Sequence, residues 1–90
     1  HQREETKMET IGKVLAINAN TNFVAVRSPH GVTVFELLDD HTVARGDMIK
    51  GDLESLTGEL FFNMTRKDKI NVVVQDVNCT PDDARRMLRA

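Results

Sequence analysis

The chain has no tryptophan, no tyrosine, one cysteine and two prolines. Cys79 alone makes no internal disulfide, so no disulfide framework holds the fold. Any aromatic surface must come from the four phenylalanines, Phe23, Phe35, Phe61 and Phe62. An excess of one charge is also missing: 12 Lys and Arg face 14 Asp and Glu, for a formal net charge of -2. That is not the footprint of a protein held to nucleic acid by bulk electrostatics, although it leaves room for a local basic patch. No apolar run approaches membrane-spanning length, so no membrane partner is expected. Gly-rich phosphate loops, internal repeats and low-complexity tracts are absent from the sequence.

What is present is short-period alternation. Ninety residues with 40% hydrophobic content suit one folded domain with a limited core. The stretch from Gly12 to Leu38 holds three β-type runs, Gly12 to Ile17, Phe23 to Ser28 and Val32 to Leu38. They are separated by the Asn-rich break Asn18 to Asn22 and by Ser28-Pro29-His30-Gly31, both with turn chemistry, which predicts an antiparallel meander. In the first run Ile11, Lys13, Leu15 and Ile17 share one face and Gly12, Val14 and Ala16 the other. Val24 and Val26 are expected inward on the second, opposite Phe23, Ala25 and Arg27. The third places Val32, Val34 and Glu36 against Thr33, Phe35 and Leu37.

Asp39 to Arg45 breaks the pattern and reads as a loop. A fourth strand is expected from Met48 to Leu53, a hairpin turn at Ser55 to Gly58, and a fifth strand from Glu59 to Thr65. On the fifth, Leu60, Phe62 and Met64 are expected inward and Phe61, Asn63 and Thr65 outward. After the charged turn Arg66 to Lys69, Ile70 to Val77 forms a sixth strand with Ile70, Val72 and Val74 on one face. Thr80-Pro81-Asp82-Asp83 has the residue order of a helix start, with basic residues following and a narrow stripe of Ala84, Met87 and Leu88. The chain should therefore divide into a flexible tail over 1–7, a β-barrel over 8–79 and a C-terminal helix over 80–90. The fold class is all-β, a small OB-like antiparallel barrel of five or six strands with a short terminal helix.

The spacing Gly12-x-Val14, then Phe23-Val24-Ala25-Val26, then Gly46-Asp47-Met48-Ile49 resembles the small OB-fold RNA-binding repeats of ribosomal and cold-shock type. The likeness covers roughly Gly12 to Thr65. It implies a non-enzymatic module that binds single-stranded nucleic acid, RNA ahead of DNA. Such repeats stack bases on several surface aromatics of the second and third strands, where this chain has only Phe23 and Phe35. From the residues, the expected site is a face of Lys13, Phe23, Arg27 and Phe35, with Arg66 and Lys67 of the charged turn as phosphate contacts.

Other chemistry has less support in the sequence. Asp39-Asp40-His41 carries ligand-type atoms but neither zinc nor calcium spacing, so no metal or cofactor is expected. Cys79 with His30 or His41 supplies a nucleophile and a base in type only, with no motif joining them, so no catalytic residue is expected. Asn63-Met64-Thr65 and Asn78-Cys79-Thr80 match a glycosylation triplet. The rival reading is a protein-interaction or self-assembly module. It rests on the acidic residues Glu36, Asp39, Asp40, Asp47, Asp52 and Glu54, on the basic end Arg85, Arg86 and Arg89, or on the sixth strand as a sheet edge. The oligomeric state is left open. The polar first residues are unlike a secretory signal, and a cytoplasmic location is the expectation; the missing initiator Met leaves a removed signal peptide open.

Overall fold

The computed structural model describes residues 9–39 and 42–89. Six strands run β1 (Thr10–Asn18), β2 (Phe23–Ser28), β3 (Gly31–Leu37), β4 (Met48–Gly51), β5 (Gly58–Asn63) and β6 (Asp68–Cys79), followed by the helix α1 (Pro81–Leu88). They close into an antiparallel barrel in the order β1-β2-β3-β6-β5-β4. Two three-strand meanders, β1-β2-β3 and β4-β5-β6, are joined through β3–β6 and through β1–β4. The expected barrel with a terminal helix is thus present, with six strands. The tail over 1–7 lies outside the described residues, as do Asp40 and His41.

Two apolar clusters hold the molecule. The first fills the barrel with Val14, Val24, Val26, Phe35, Leu37, Ile49, Leu53, Phe61, Ile70, Val72 and Val74. Phe35 and Phe61 meet edge to face at its centre, with ring centroids 5.5 Å apart and planes at 83°. The second cluster lies outside the barrel wall, where Ala84 and Leu88 of α1 cover Ala25, Val32, Val34 and Cys79. Hence β2 and β3 are apolar on both faces: one looks into the barrel, the other is roofed by the helix. Full burial of each such side chain is worth about 1.5–3 kcal/mol relative to exposure. Thr80 caps α1, its side chain accepting from the Asp83 N–H at 3.1 Å, and Pro81 occupies the first turn.

Three expectations are corrected. The alternation of β1 does not run unbroken, because a bulge falls between Val14 and Ala16. The strand bends there, as a small closed barrel requires, and Ile17 packs toward the interior while Leu15 and Ala16 join the helix-side cluster. The fifth strand is inverted: Phe61 and Asn63 are buried, and Leu60, Phe62 and Met64 are exposed. Phe61 owes its place to Gly51, where a Cβ would lie 2.3 Å from the Phe61 ring. The absence of a side chain at Gly51 leaves room for the phenyl ring. Finally, Phe35 is fully buried and offers no surface. Smaller differences concern boundaries. The fourth strand stops at Gly51, leaving a six-residue connection over 52–57, while the sixth extends to Asp68 and Cys79.

Candidate functional site

The helix roofs one side of the barrel and leaves the first half of β1, all of β4 and β5, and the start of β6 uncovered. The register sets which side chains stand together there, since residues directly opposite on one face have Cβ atoms about 4.5–5.5 Å apart. One row crosses four strands as Ile11, Lys50, Phe62 and Lys69. A second row runs Arg27, Lys13 and Met48, and continues to Met64, whose N–H donates to the Met48 carbonyl at 2.7 Å. The rows are separated by two residues along each strand, about 6.6–7 Å. The two rows together hold four cations and four apolar side chains, alternating in the first row and segregated in the second, and no acidic residue falls in either.

Phe62 is the aromatic of this face, flanked by Lys50 on one side and Lys69 on the other. It is 37% exposed, with Leu60 at 55%, Met64 at 39% and Ile11 at 43% around it. Leu60, Phe62, Lys50, Lys69 and Glu9 line a shallow depression of about 230 Å³ floored by Phe61. Lys50 carries an ion pair with Glu9 at 3.7 Å, both groups exposed. The lysine remains available to a ligand, since such pairs are worth about 0–1 kcal/mol.

The geometry divides the residues expected from the sequence. Lys13 and Arg27 stand opposite one another and are exposed, so they belong to the face. Phe23 and Phe35 do not form a stacking pair: Phe35 is opposite Val24, not Phe23, so the two rings lie on opposite sides of the sheet. Phe35 is core and Phe23 is half-buried against the helix-side cluster. Lys67 sits exposed at the turn with a positive φ of 57°. The Arg66 side chain is engaged within the protein, donating from Nε to Asp47 Oδ2 at 2.7 Å. Lys50, Phe62 and Lys69, which sequence reasoning missed, complete the face.

Arg66 belongs to a polar knot that fixes the end of β5. Asp47 is buried and accepts at Oδ2 from Asn63 Nδ2 at 2.9 Å, from Arg66 Nε and from the Ala44 N–H at 3.1 Å. Asn63 in turn accepts at Oδ1 from the Thr65 and Arg66 N–H groups, both at 3.1 Å. Burial pushes the Asp47 carboxyl up, but the bonds from Asn63, Arg66 and Ala44 outweigh it and hold the group below the usual carboxylate range. One member of the expected acidic surface is therefore an internal anchor. Asn63 is fully buried, so the first glycosylation triplet offers no acceptor in the folded chain.

The remaining candidates are placed as follows. Burial, with Asp76 beside it, pushes the Cys79 thiol up to about 11, away from nucleophilic character at neutral pH. His30 faces Glu54 at 3.5 Å. Asp39 accepts from Asn71 Nδ2 at 2.6 Å. Among the described residues there is no cluster of metal-ligating side chains, and no helix is long and apolar enough to cross a membrane. The sixth strand pairs with β5 over 68–73 and with β3 over 72–79, so it is a member of the closed barrel and not a terminal strand of an open sheet. Comparisons with protein-family models, with curated proteins and with solved structures give no match.

Proposed function

We propose that this chain is a non-enzymatic binding module that takes single-stranded nucleic acid on the face formed by β1, β4, β5 and the start of β6. The reading rests on one observation: a protein with net charge -2 flanks an exposed Phe62 with Lys50 and Lys69 and sets Lys13 and Arg27 in the adjoining row of the same face, with no acid in either row. A flat apolar ring takes a base by stacking; Lys50 and Lys69, one strand to either side, suit the phosphates that flank it, and Lys13 and Arg27, two and three strands away, suit phosphates further along the strand. The likeness of the Gly12, Phe23 and Gly46 segments to OB-fold RNA-binding repeats puts RNA ahead of DNA.

The test is fluorescence anisotropy with labelled single-stranded RNA and DNA pools over a salt series. Four phosphate contacts give a log–log salt slope of about -2.8, at roughly 0.7 per contact on single strands. Lys50→Glu with Lys69→Glu should flatten that slope by about half. Phe62→Ala should weaken binding by about 1–3 kcal/mol, roughly 5- to 150-fold, without loss of fold. An absence of binding even at low salt would withdraw the nucleic-acid reading. A protein partner on the same face then takes its place, favoured by the exposed Leu60, Met64 and Ile11.

A further inference from the structure

Resting on the reading of the Phe62 face as a nucleic-acid site, we propose that the depression beside Phe62 selects guanine, with Glu9 and Lys50 together reading the Watson–Crick edge of the base stacked on the ring. The depression is lined by Glu9, Lys50, Leu60, Phe61, Phe62 and Lys69, so one acid stands among two lysines and three apolar residues. The register sets Lys50 and Lys69 directly opposite Phe62, one on either side. Because Thr10 pairs with Gly51, the chain carries Glu9 past Lys50, and Glu9 Oε1 lies 3.7 Å from Lys50 Nζ. A carboxylate is out of place on a surface that gathers phosphates, since it repels them. Both groups of the pair are exposed, so the fold does not depend on it. The acid answers instead to the chemistry of a base.

An ammonium beside a carboxylate presents one donor followed by two acceptors, the order that cytosine presents to guanine in a base pair. Guanine carries the converse order, the acceptor O6 and then the N–H groups of N1 and N2. Lys50 Nζ has three donors: one is directed at Glu9, and the others serve O6 and a flanking phosphate. The two oxygens of Glu9 accept from N1 and N2 in a two-point contact. Adenine, cytosine and uracil each have one donor on this edge with a lone pair beside it, so the second carboxylate oxygen would meet a lone pair. A base splayed from a single strand onto an aromatic ring leaves its Watson–Crick edge free for such contacts. Glu9 also keeps phosphate out of the depression, so that a base enters it and the backbone stays with Lys69 on the far side of the ring.

The probe is a fluorescein-labelled nine-nucleotide RNA of uridines with G, A, C, U or inosine at its centre, titrated with the full chain by anisotropy. A central guanine should bind about 5- to 10-fold tighter than uridine, the lower end of what a two-point contact discriminates, since the pair is exposed. Inosine, which is guanine without the 2-amino group, should lose most of that advantage. Glu9→Gln should bring the guanine and uridine probes to within about twofold of one another, because the two-point contact is gone. The all-uridine probe should then bind as tightly as before or tighter, at unchanged melting temperature. Equal affinity for all five probes, inosine binding as tightly as guanine, or a guanine preference that survives in Glu9→Gln would each overturn the assignment and leave the Phe62 face standing. A guanine preference that survives in Phe62→Ala would overturn it too. No binding of any probe at low salt would overturn both.

Discussion

Asp47→Ala is expected to destabilise the barrel by about 3–5 kcal/mol, the cost of breaking up a buried, hydrogen-bonded charge by removing one partner, and the reason lies in the contacts of one oxygen. Asp47 Oδ2 accepts from Asn63, Arg66 and the Ala44 N–H, and the residue is 4% exposed. A hydrogen bond to a charged group contributes about 1.5–3 kcal/mol. The bonds from Asn63 and Ala44 fall in that class, because their acceptor is the ionised carboxylate. The Arg66 contribution is smaller, about 0–1 kcal/mol, because its side chain is 40% exposed. After the substitution the fully buried Asn63 amide has lost its acceptor, which alone costs about 1–3 kcal/mol. At about 4–8 °C per kcal/mol for a domain of this size, the melting temperature should fall by roughly 12–40 °C.

Far-UV circular dichroism is the suitable assay, since no Trp or Tyr reports the transition. Urea titration should show a lower midpoint at unchanged slope. Asp47→Asn keeps an oxygen acceptor and should cost less, about 1–3 kcal/mol. The pH dependence has a definite sign. The folded Asp47 carboxyl lies below its ordinary value of 3.8, so its contribution is complete above about pH 4 and is lost as the pH falls through the folded value. Asp47→Asn should remove that part of the acid sensitivity. A loss under about 1 kcal/mol in Asp47→Ala, or an acid transition unaltered in Asp47→Asn, would refute the assignment of this group as an internal anchor.

Gly51→Ala should cost about 1–3 kcal/mol by overpacking, since the added Cβ would lie 2.3 Å from the Phe61 ring; chemical denaturation against the parent chain measures it. Phe35→Ala should cost about 3–5 kcal/mol as a core deletion. Phe23→Ala should instead loosen the helix-side cluster and leave oligonucleotide affinity unchanged, so a loss of RNA binding in folded Phe23→Ala would restore the β2 face as the site. Cys79, with its thiol pushed up to about 11, should react slowly with Ellman's reagent in the folded chain at pH 8, faster as pH rises, and at once in urea.

Much of the architecture was legible because it is local. Val24 and Val26, and Ile70, Val72 and Val74, alternate without ambiguity, and each set is found inside the barrel. Thr80 and Pro81 mark the helix start through contacts within one turn. The misreadings come from constraints that act across the chain. In Leu60-Phe61-Phe62-Asn63-Met64 both faces carry apolar residues, and counting them favours the wrong one. The deciding facts are a glycine ten residues earlier that admits Phe61 and a buried carboxylate that requires Asn63. The one local signal was Asn63 followed by Thr65 and Arg66, a side chain placed to cap the turn after it. The bulge at Leu15 likewise answers to barrel closure, not to its neighbours. The candidate site inherits both errors: Lys13 and Arg27 sit on a locally readable meander, whereas Lys50, Phe62 and Lys69 come together only through the register of β4, β5 and β6.

The exposure of Phe62 follows from the same economy of space. A barrel of this size holds two rings at its centre, and Phe35 and Phe61 fill that position. A second phenylalanine next to Phe61 must point outward, and α1 does not cover it because the helix is committed to the side of β2 and β3. Phe62 belongs to neither of the two apolar clusters, so its ring is placed on the surface. The ring and its flanking lysines therefore call for an explanation outside packing. The bulge at Leu15 gives β1 two employments: Ile11 and Lys13 before it belong to the Phe62 face, while Leu15 and Ala16 join the helix-side cluster and Asn18 Nδ2 donates to the Leu88 carbonyl at the end of α1.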